Sequence, residues 1–158
     1  MARIVSATAQ QAVNAPQTNQ VFLVIVEITH TDLVTPLRFV NNNVDITSNG
    51  NVYTACAFNF TPPADEDGTI KNTQIIIDNV DRSITQVIRA LVGPPSLSIS
   101  IILADNPNDI EVGPWEFILR NVTYNISTIG GDLIYLNYLL DYFSPIVYNA
   151  NNFPGLYA

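Results

Sequence analysis

The sequence predicts a mainly β fold: an antiparallel β-sandwich or barrel with a flanking α-helix and a short N-terminal helix. Three observations lead there. Short runs rich in Val, Ile, Thr and aromatic residues recur along the chain, separated by Asn, Gly, Pro and Asp clusters. These runs come as hairpins rather than alternating with helices, which argues for antiparallel pairing. Only two stretches carry helical periodicity, residues 2–13 and residues 81–92.

In chain order, residues 2–13 predict a short helix in which Ile4, Val5, Ala9, Ala12 and Val13 share a face, ended by Asn14-Ala15-Pro16. That face can cover the chain's own sheet or reach a neighbouring subunit. Val21 to Ile28 is apolar at both parities, so the strand it predicts is buried on both faces. Residues 29–32 turn the chain and residues 36–40 form a second strand. Residues 45–54 form a hairpin around Asn49-Gly50, both suited to the positive φ of a type I′ turn. Residues 57–60 lead into Pro62-Pro63-Ala64-Asp65-Glu66-Asp67-Gly68, too rich in proline and acid for a strand.

The centre of the chain is the stretch 72–103. Thr73 to Asp78 is a β-branched strand. Ile84, Val87, Ile88 and Leu91 follow at helical spacing, with Asp81 at the N-terminal end, Ser83…Gln86 as a capping box and Arg89 near the C-terminal end. Gly93 supplies a left-handed cap and Pro94-Pro95 forbid continuation. Residues 96–103 alternate serine with large apolar residues, a strand with one wet and one dry face. Residues 105–109 are a turn, 115–120 and 122–124 the returning strand, and Gly130-Gly131 a hairpin turn onto 133–138. Residues 1–138 thus form one β domain, and residues 139–158 an aromatic docking tail in which Asp141 is the sole charge.

Composition narrows the function. The 158 residues suit one domain, and 47% hydrophobic content supports a real core. Net charge is −8, and the six basic residues are scattered along the chain, so phosphate-tracking contact with nucleic acid is not expected. Only 13% of residues are charged, against roughly a quarter in ordinary soluble domains, which suits a surface buried against partners. The N-terminal segment lacks the apolar stretch of a signal peptide, and the longest apolar run, Val21 to Val26, is far short of the roughly 20 residues of a membrane helix. The sequons at Asn59 and Asn121 therefore have no secretory context.

No constellation for chemistry emerges. His30 is the single histidine and reads as a turn residue bonded locally. Cys56 is the single cysteine, so no internal disulfide forms, and it reads as a small buried hydrophobe. No Gly-rich phosphate loop is present, and one His with one Cys makes no zinc set. Asp65-Glu66-Asp67-Gly68 and Asp105…Asp109…Glu111 gather oxygens but fit no EF-hand spacing, so they read as solvated acidic loops. Trp115 reads as a core residue, with a sugar platform as the alternative. No catalytic, metal or cofactor site is expected.

Several segments, taken in order, carry a family resemblance. They are Glu27 to Leu33, Asp45 to Ala55, Ile77 to Arg82, Gly93-Pro94-Pro95, Gly113 to Phe117, Leu119 to Tyr124 and Phe153-Pro154-Gly155-Leu156. In this order and spacing the chain resembles the short minor tail proteins of siphophages and prophages with lambda-like tail tips, a family of unknown-function domain type. It is similar to a shortened minor tail protein L without the cysteine-bearing C-terminal part. Cys56 stands where an aromatic or aliphatic residue is expected, and Tyr135 to Phe143 is richer in tyrosine than the usual pattern.

The resemblance implies a tail-tube type of fold and a structural role in the virion. The expected role is a ring in the tail tip or baseplate that joins the tail tube to the central hub or host-specificity protein around the DNA lumen. A three-fold ring suits a trimeric host-specificity protein, and a six-fold ring suits the tube. The expected partners are copies of itself and the neighbouring tail proteins. Ile4, Val5, Tyr142, Phe143, Tyr148, Phe153, Pro154, Gly155, Leu156 and Tyr157 are the expected interface residues. Asp65, Glu66, Asp67, Asp105 and Asp109 are expected to face the lumen or a subunit joint. The alternative is a carbohydrate-binding β-sandwich at the tail tip, using Trp115 or the tail tyrosines.

Overall fold

The computed structural model describes residues 5–60, 73–78, 88–125, 127–135 and 155. The helix α1 spans Ala7–Asn14 rather than 2–13. The physical reason is the cap: Ser6 is extended and its hydroxyl accepts from the Ala9 N–H at 3.1 Å, which sets the first turn one residue later. Residues 1–4 lie outside the described residues. Ala9 and Ala12 are buried while Val13 is 70% exposed, so α1 buries its small residues and not its whole apolar face.

Nine strands follow: β1 (Phe22–Thr29), β2 (Leu37–Val40), β3 (Ile46–Ser48), β4 (Asn51–Ala55), β5 (Phe58–Phe60), β6 (Thr73–Asp78), β7 (Ser96–Leu103), β8 (Asn106–Tyr124) and β9 (Thr128–Tyr135). They form one sheet in the order β3-β4-β2-β1-β7-β8-β9-β6-β5. Every pairing is antiparallel except β2 with β4, which is parallel. The mainly β class with short helices is therefore the observed one, and the parallel pair is the departure from a purely antiparallel expectation. The helical stretch expected over 81–92 is described only from residue 88, and residues 88–90 are helical.

The sheet is not closed as a ladder, yet one chain segment belongs to both of its halves. Cys56 N–H donates to the Val40 carbonyl at 3.0 Å, extending the β2–β4 pairing. The Ala57 carbonyl accepts from Asp78 N–H at 2.9 Å, extending the β5–β6 pairing. A sheet whose far ends share neighbouring residues must curl. The main core sits inside that curl, built from Val26, Ile28, Phe39, Phe58, Ile75, Leu97, Ile99, Phe117 and their neighbours. Phe60 lies 5.9 Å from the Trp115 ring and 6.1 Å from Phe117. A second cluster of Leu23, Ile25, Val40, Tyr53 and Ile102 lies on the opposite parity of β1. The β3–β4 hairpin folds against β8 there, with Ser48 Oγ donating to the Pro107 carbonyl at 2.6 Å and Asn49 N–H to Asn108 Oδ1 at 2.8 Å.

Three local expectations are corrected. The serine face of β7 is not uniformly wet: Ser100 is buried, with Gly113 of β8 packed against it. The turn after β7 is confined to Ala104-Asp105, and Asn106 to Asp109 already belong to β8. The register shifts along the Ile99–Leu103 stretch of the β7–β8 ladder loosen the pairing that Pro107 enters. Gly130 and Gly131 lie inside β9, facing Thr123 and Leu119 of β8. A Cβ on Gly131 would come within 2.5 Å of Leu119 Cδ1, so this glycine lets two strands pack, and the chain reverses between Tyr124 and Thr128 instead, where Asn125 N–H donates to the Thr128 carbonyl at 2.8 Å. The type I′ expectation holds: Asn49 has φ 48° and Gly50 φ 78°.

Candidate functional site

Of the residues expected to matter, the structure describes Val5, Asp105, Asp109 and Gly155. Ile4, Asp65, Glu66, Asp67, Tyr142, Phe143, Tyr148, Phe153, Pro154, Leu156 and Tyr157 lie outside the described residues, as do the tail's bounds. Gly155 is exposed and Val5 half-buried. Asp105 and Asp109 are exposed at the β7–β8 turn, where Asn106 Nδ2 donates to Asp109 Oδ2 at 2.6 Å. Glu111 does not join them. It is 5% exposed, and its two oxygens accept from Ser6 N–H at 2.8 Å and Ser6 Oγ–H at 2.7 Å. The carboxylate therefore ties the capped start of α1 to β8. Among the described residues no three His, Cys, Asp or Glu side chains group as a metal site would need.

His30 is a turn residue, as its sequence setting suggests. Its Nδ1 accepts from Asp32 N–H at 3.1 Å, and Asp32 Oδ2 accepts from Val92 N–H at 3.1 Å. The unit pins the 30–32 turn to the segment before β7. Cys56 is half-buried rather than fully buried, lies between β4 and β5, and its Sγ–H points to the Asp78 carbonyl at 3.3 Å. Trp115, 8% exposed, is part of the main core, so its ring offers no open platform.

The structure does assemble a site the sequence did not suggest. Gly93-Pro94-Pro95 bring the chain into β7, and prolines carry no N–H for a ladder. The β7–β8 pairing accordingly begins at Ser96 opposite Ile118, with one further bond from Leu119 N–H to the Pro95 carbonyl at 3.0 Å. β8 runs on to Tyr124, paired with β9 on its other side. Among the described residues nothing pairs with 120–124 on the β7 side. A cavity of about 620 Å3 opens beside this stretch. Its apolar lining includes Ile88, Leu91 and Val122, and its polar lining Arg89, Arg120 and Tyr124.

Among the described residues the two arginines keep their charge unpaired for distinct reasons. The Arg89 guanidinium carbon stands 4.7 Å from the centre of the Tyr124 ring, a cation–π contact that positions it without neutralising it. Arg120 lies directly opposite Asp132 in the β8–β9 register. That carboxylate is already engaged: Oδ2 accepts from Asn121 Nδ2 at 2.9 Å and Oδ1 from Gln74 Nε2 at 3.0 Å. Asn121 reaches it because its backbone is left-handed, φ 52°, at the register shift between Arg120 and Thr123. These two bonds, the Asn121 one first, lower the Asp132 pKa below its ordinary value. Among the described residues, neither Arg89 nor Arg120 has an ion pair. Arg38, by contrast, pairs with Glu27 at 2.8 Å.

The scattered cations of the sequence thus include two that the fold gathers, 31 positions apart. Arg89 read from sequence as a helix-end charge, and the pairing needs the β7–β8 register to be seen. The one available signal was Pro94-Pro95, which shortens one strand beside a longer neighbour.

These features define a curled, mainly β module whose assembled site is a cationic, apolar groove beside a strand edge that no described residue pairs. By sequence the chain belongs to the family described as a domain of unknown function, DUF1833, whose profile matches residues 8–148. A comparison with curated proteins finds no match.

Proposed function

We propose that this chain is a structural component of a phage tail tip or baseplate, a ring that joins the tail tube to the central hub or host-specificity protein around the DNA lumen. The resemblance of its ordered motifs to short minor tail proteins supports this reading. The observation that carries it is the edge of β8 at residues 120–124, which no described residue pairs on the β7 side, beside a groove with apolar lining. An unpaired edge flanked by apolar surface is a liability in an isolated domain and a joint in an assembly. The protein acts as a joint rather than as an enzyme.

The net charge of −8 suits a ring through which DNA passes, because an acidic wall repels phosphate and offers no counterion-releasing grip. Asp65, Glu66, Asp67, Asp105 and Asp109 face that lumen or a subunit joint, and the aromatic segment 139–158 docks on a neighbouring tail protein. The assembly is a homo-oligomer, a three-fold ring that meets a trimeric host-specificity protein, in preference to a six-fold ring like the tube.

Co-expression with the tail proteins encoded beside it, followed by affinity capture and negative-stain imaging, tests the role. Capture of the tube or hub protein, in particles with a central hole, is the expected result. A chain that binds neither and forms no ring overturns the proposal.

A further inference from the structure

Resting on that reading, we infer which surfaces make the joint: the Arg89–Arg120 groove of one copy receives the turn end of the β7–β8 hairpin of a second copy, where Asp105 of the turn and Asp109 near the start of β8 stand. The groove and the turn lie at opposite ends of the same β7–β8 hairpin. The groove sits where β7 begins, beside residues 119–124 of β8. The turn sits where β7 ends, at Ala104-Asp105. β7 has eight residues, so the two ends are about 26 Å apart at roughly 3.3 Å per residue. Two different patches at opposite ends of a rigid element make a head-to-tail contact, the kind that closes into rings.

The two patches are complementary in charge and in polarity. The groove offers Arg89 and Arg120, neither ion-paired among the described residues. The turn end offers two exposed carboxylates, and Asp109 is held by Asn106 in a fixed position. Apolar surface accompanies both. Ile88, Leu91 and Val122 line the groove. At the turn end, Phe22 of β1 is 38% exposed opposite Leu103, and Ile110 of β8 is 44% exposed opposite Ile102. Apolar contact with charged pairs at its margin is the usual anatomy of a specific interface, and the charges set its register. The strongly acidic chain also explains why the groove suits another copy: carboxylates are what a second copy presents most of, 14 against six cations.

Charge reversal tests the pairing. Variant one carries Arg89→Glu and Arg120→Glu; variant two carries Asp105→Arg and Asp109→Arg. All four side chains lie outside the cores, so circular dichroism and thermal melting should leave both variants folded. Sedimentation velocity over a concentration series should show the native chain associating, and more weakly as salt is raised. Each variant alone should lose association at least tenfold, and an equimolar mixture should regain contact between unlike variants. If the native chain associates and both variants do so equally well, the joint lies on other surfaces; the inference fails while the ring role stands. A native chain still monomeric at about 1 mM also overturns the self-pairing. Capture of the tail proteins in the separate co-expression experiment judges the ring role independently of either result.

Discussion

Glu111 should be worth more to this fold than any exposed acid, and the reason lies in where its two oxygens go. It is buried in β8 and accepts both the N–H and the hydroxyl of Ser6, the residue that caps α1. Glu111→Ala removes two bonds to a charged acceptor, each worth about 1.5–3 kcal/mol, and leaves two Ser6 donors unpaired. Relief from burying a carboxylate offsets part of that loss. The net expectation is a destabilisation of about 2–4 kcal/mol. With a urea m-value of about 2 kcal/mol/M, the midpoint should fall by about 1–2 M.

Ser6→Ala keeps the backbone arm but loses the hydroxyl arm and the cap, for about 2 kcal/mol in total. The double variant should be less damaging than the sum by about 1–2 kcal/mol, the coupling of the hydroxyl arm alone. Glu111→Gln keeps the side chain's volume and one acceptor but turns an amide donor against a Ser6 donor. It should fall between wild type and Glu111→Ala. Fluorescence of Trp115, the single tryptophan and a buried one, reports the transition. A Glu111→Ala midpoint within about 0.5 kcal/mol of wild type, or strict additivity with Ser6→Ala, would refute the tie between α1 and β8.

Further outcomes follow from other contacts. Gly131→Ala should destabilise by about 1–3 kcal/mol in the same urea assay, because its Cβ would press on Leu119 Cδ1 within the core. Gly113→Ala should cost more than Gly131→Ala, since its Cβ would meet the Ile99 carbonyl oxygen at 2.9 Å and its φ of +107° strains any side chain. Asp132 has its pKa lowered from 3.8 by Asn121 and Gln74, so its contribution is present above pH 3.8 and lost as pH falls through the folded value. Urea midpoints of wild type and Asp132→Asn should accordingly differ at neutral pH and converge in acid. Tyr53 has its pKa raised above 10.0 by burial first and Glu27 second, with Arg38 opposing. The stabilisation is complete below pH 10.0 and lost as pH rises through the folded value, so wild type should weaken in alkali relative to Tyr53→Phe.

Much of the sheet was legible because its strands carry their burial in their own pattern. β1 is apolar at both parities and is buried on both faces, with Val26 and Ile28 in one cluster and Leu23 and Ile25 in the other. β6 and β7 fall on the residues the sequence marks, Thr73–Asp78 and Ser96–Leu103. Asn49-Gly50 takes the turn its φ tolerance allows. The errors have a common cause. Gly130-Gly131 carries a turn signal in isolation, but the pair is set by what stands across the ladder, where Leu119 and Thr123 need the space. Ser100 looks like a wet-face residue until Gly113 is placed against it. In both cases the deciding neighbour stands on another strand, Leu119 at 12 positions from Gly131 and Gly113 at 13 positions from Ser100, and local chemistry cannot supply it.

The groove was harder to foresee for a further reason. Arg120 and Asp132 sit opposite each other, and opposite charges in register read as a cross-strand ion pair. Asn121 reverses that reading. Its left-handed backbone places an amide on the carboxylate, Gln74 takes the second oxygen, and the guanidinium is left for the cavity. Asn121→Ala should therefore do two things at once. It should raise the Asp132 pKa toward 3.8 by removing the larger of its two stabilising bonds. It should also free a carboxylate oxygen for Arg120, lowering the groove's appetite for acidic partners. Side-chain carboxyl NMR titration reads the first effect and sedimentation of the variant the second. If the Asp132 titration stays where it is in the wild type, the Asn121 amide is not what keeps the carboxylate engaged, and Arg120 owes its freedom to something other than the bulge.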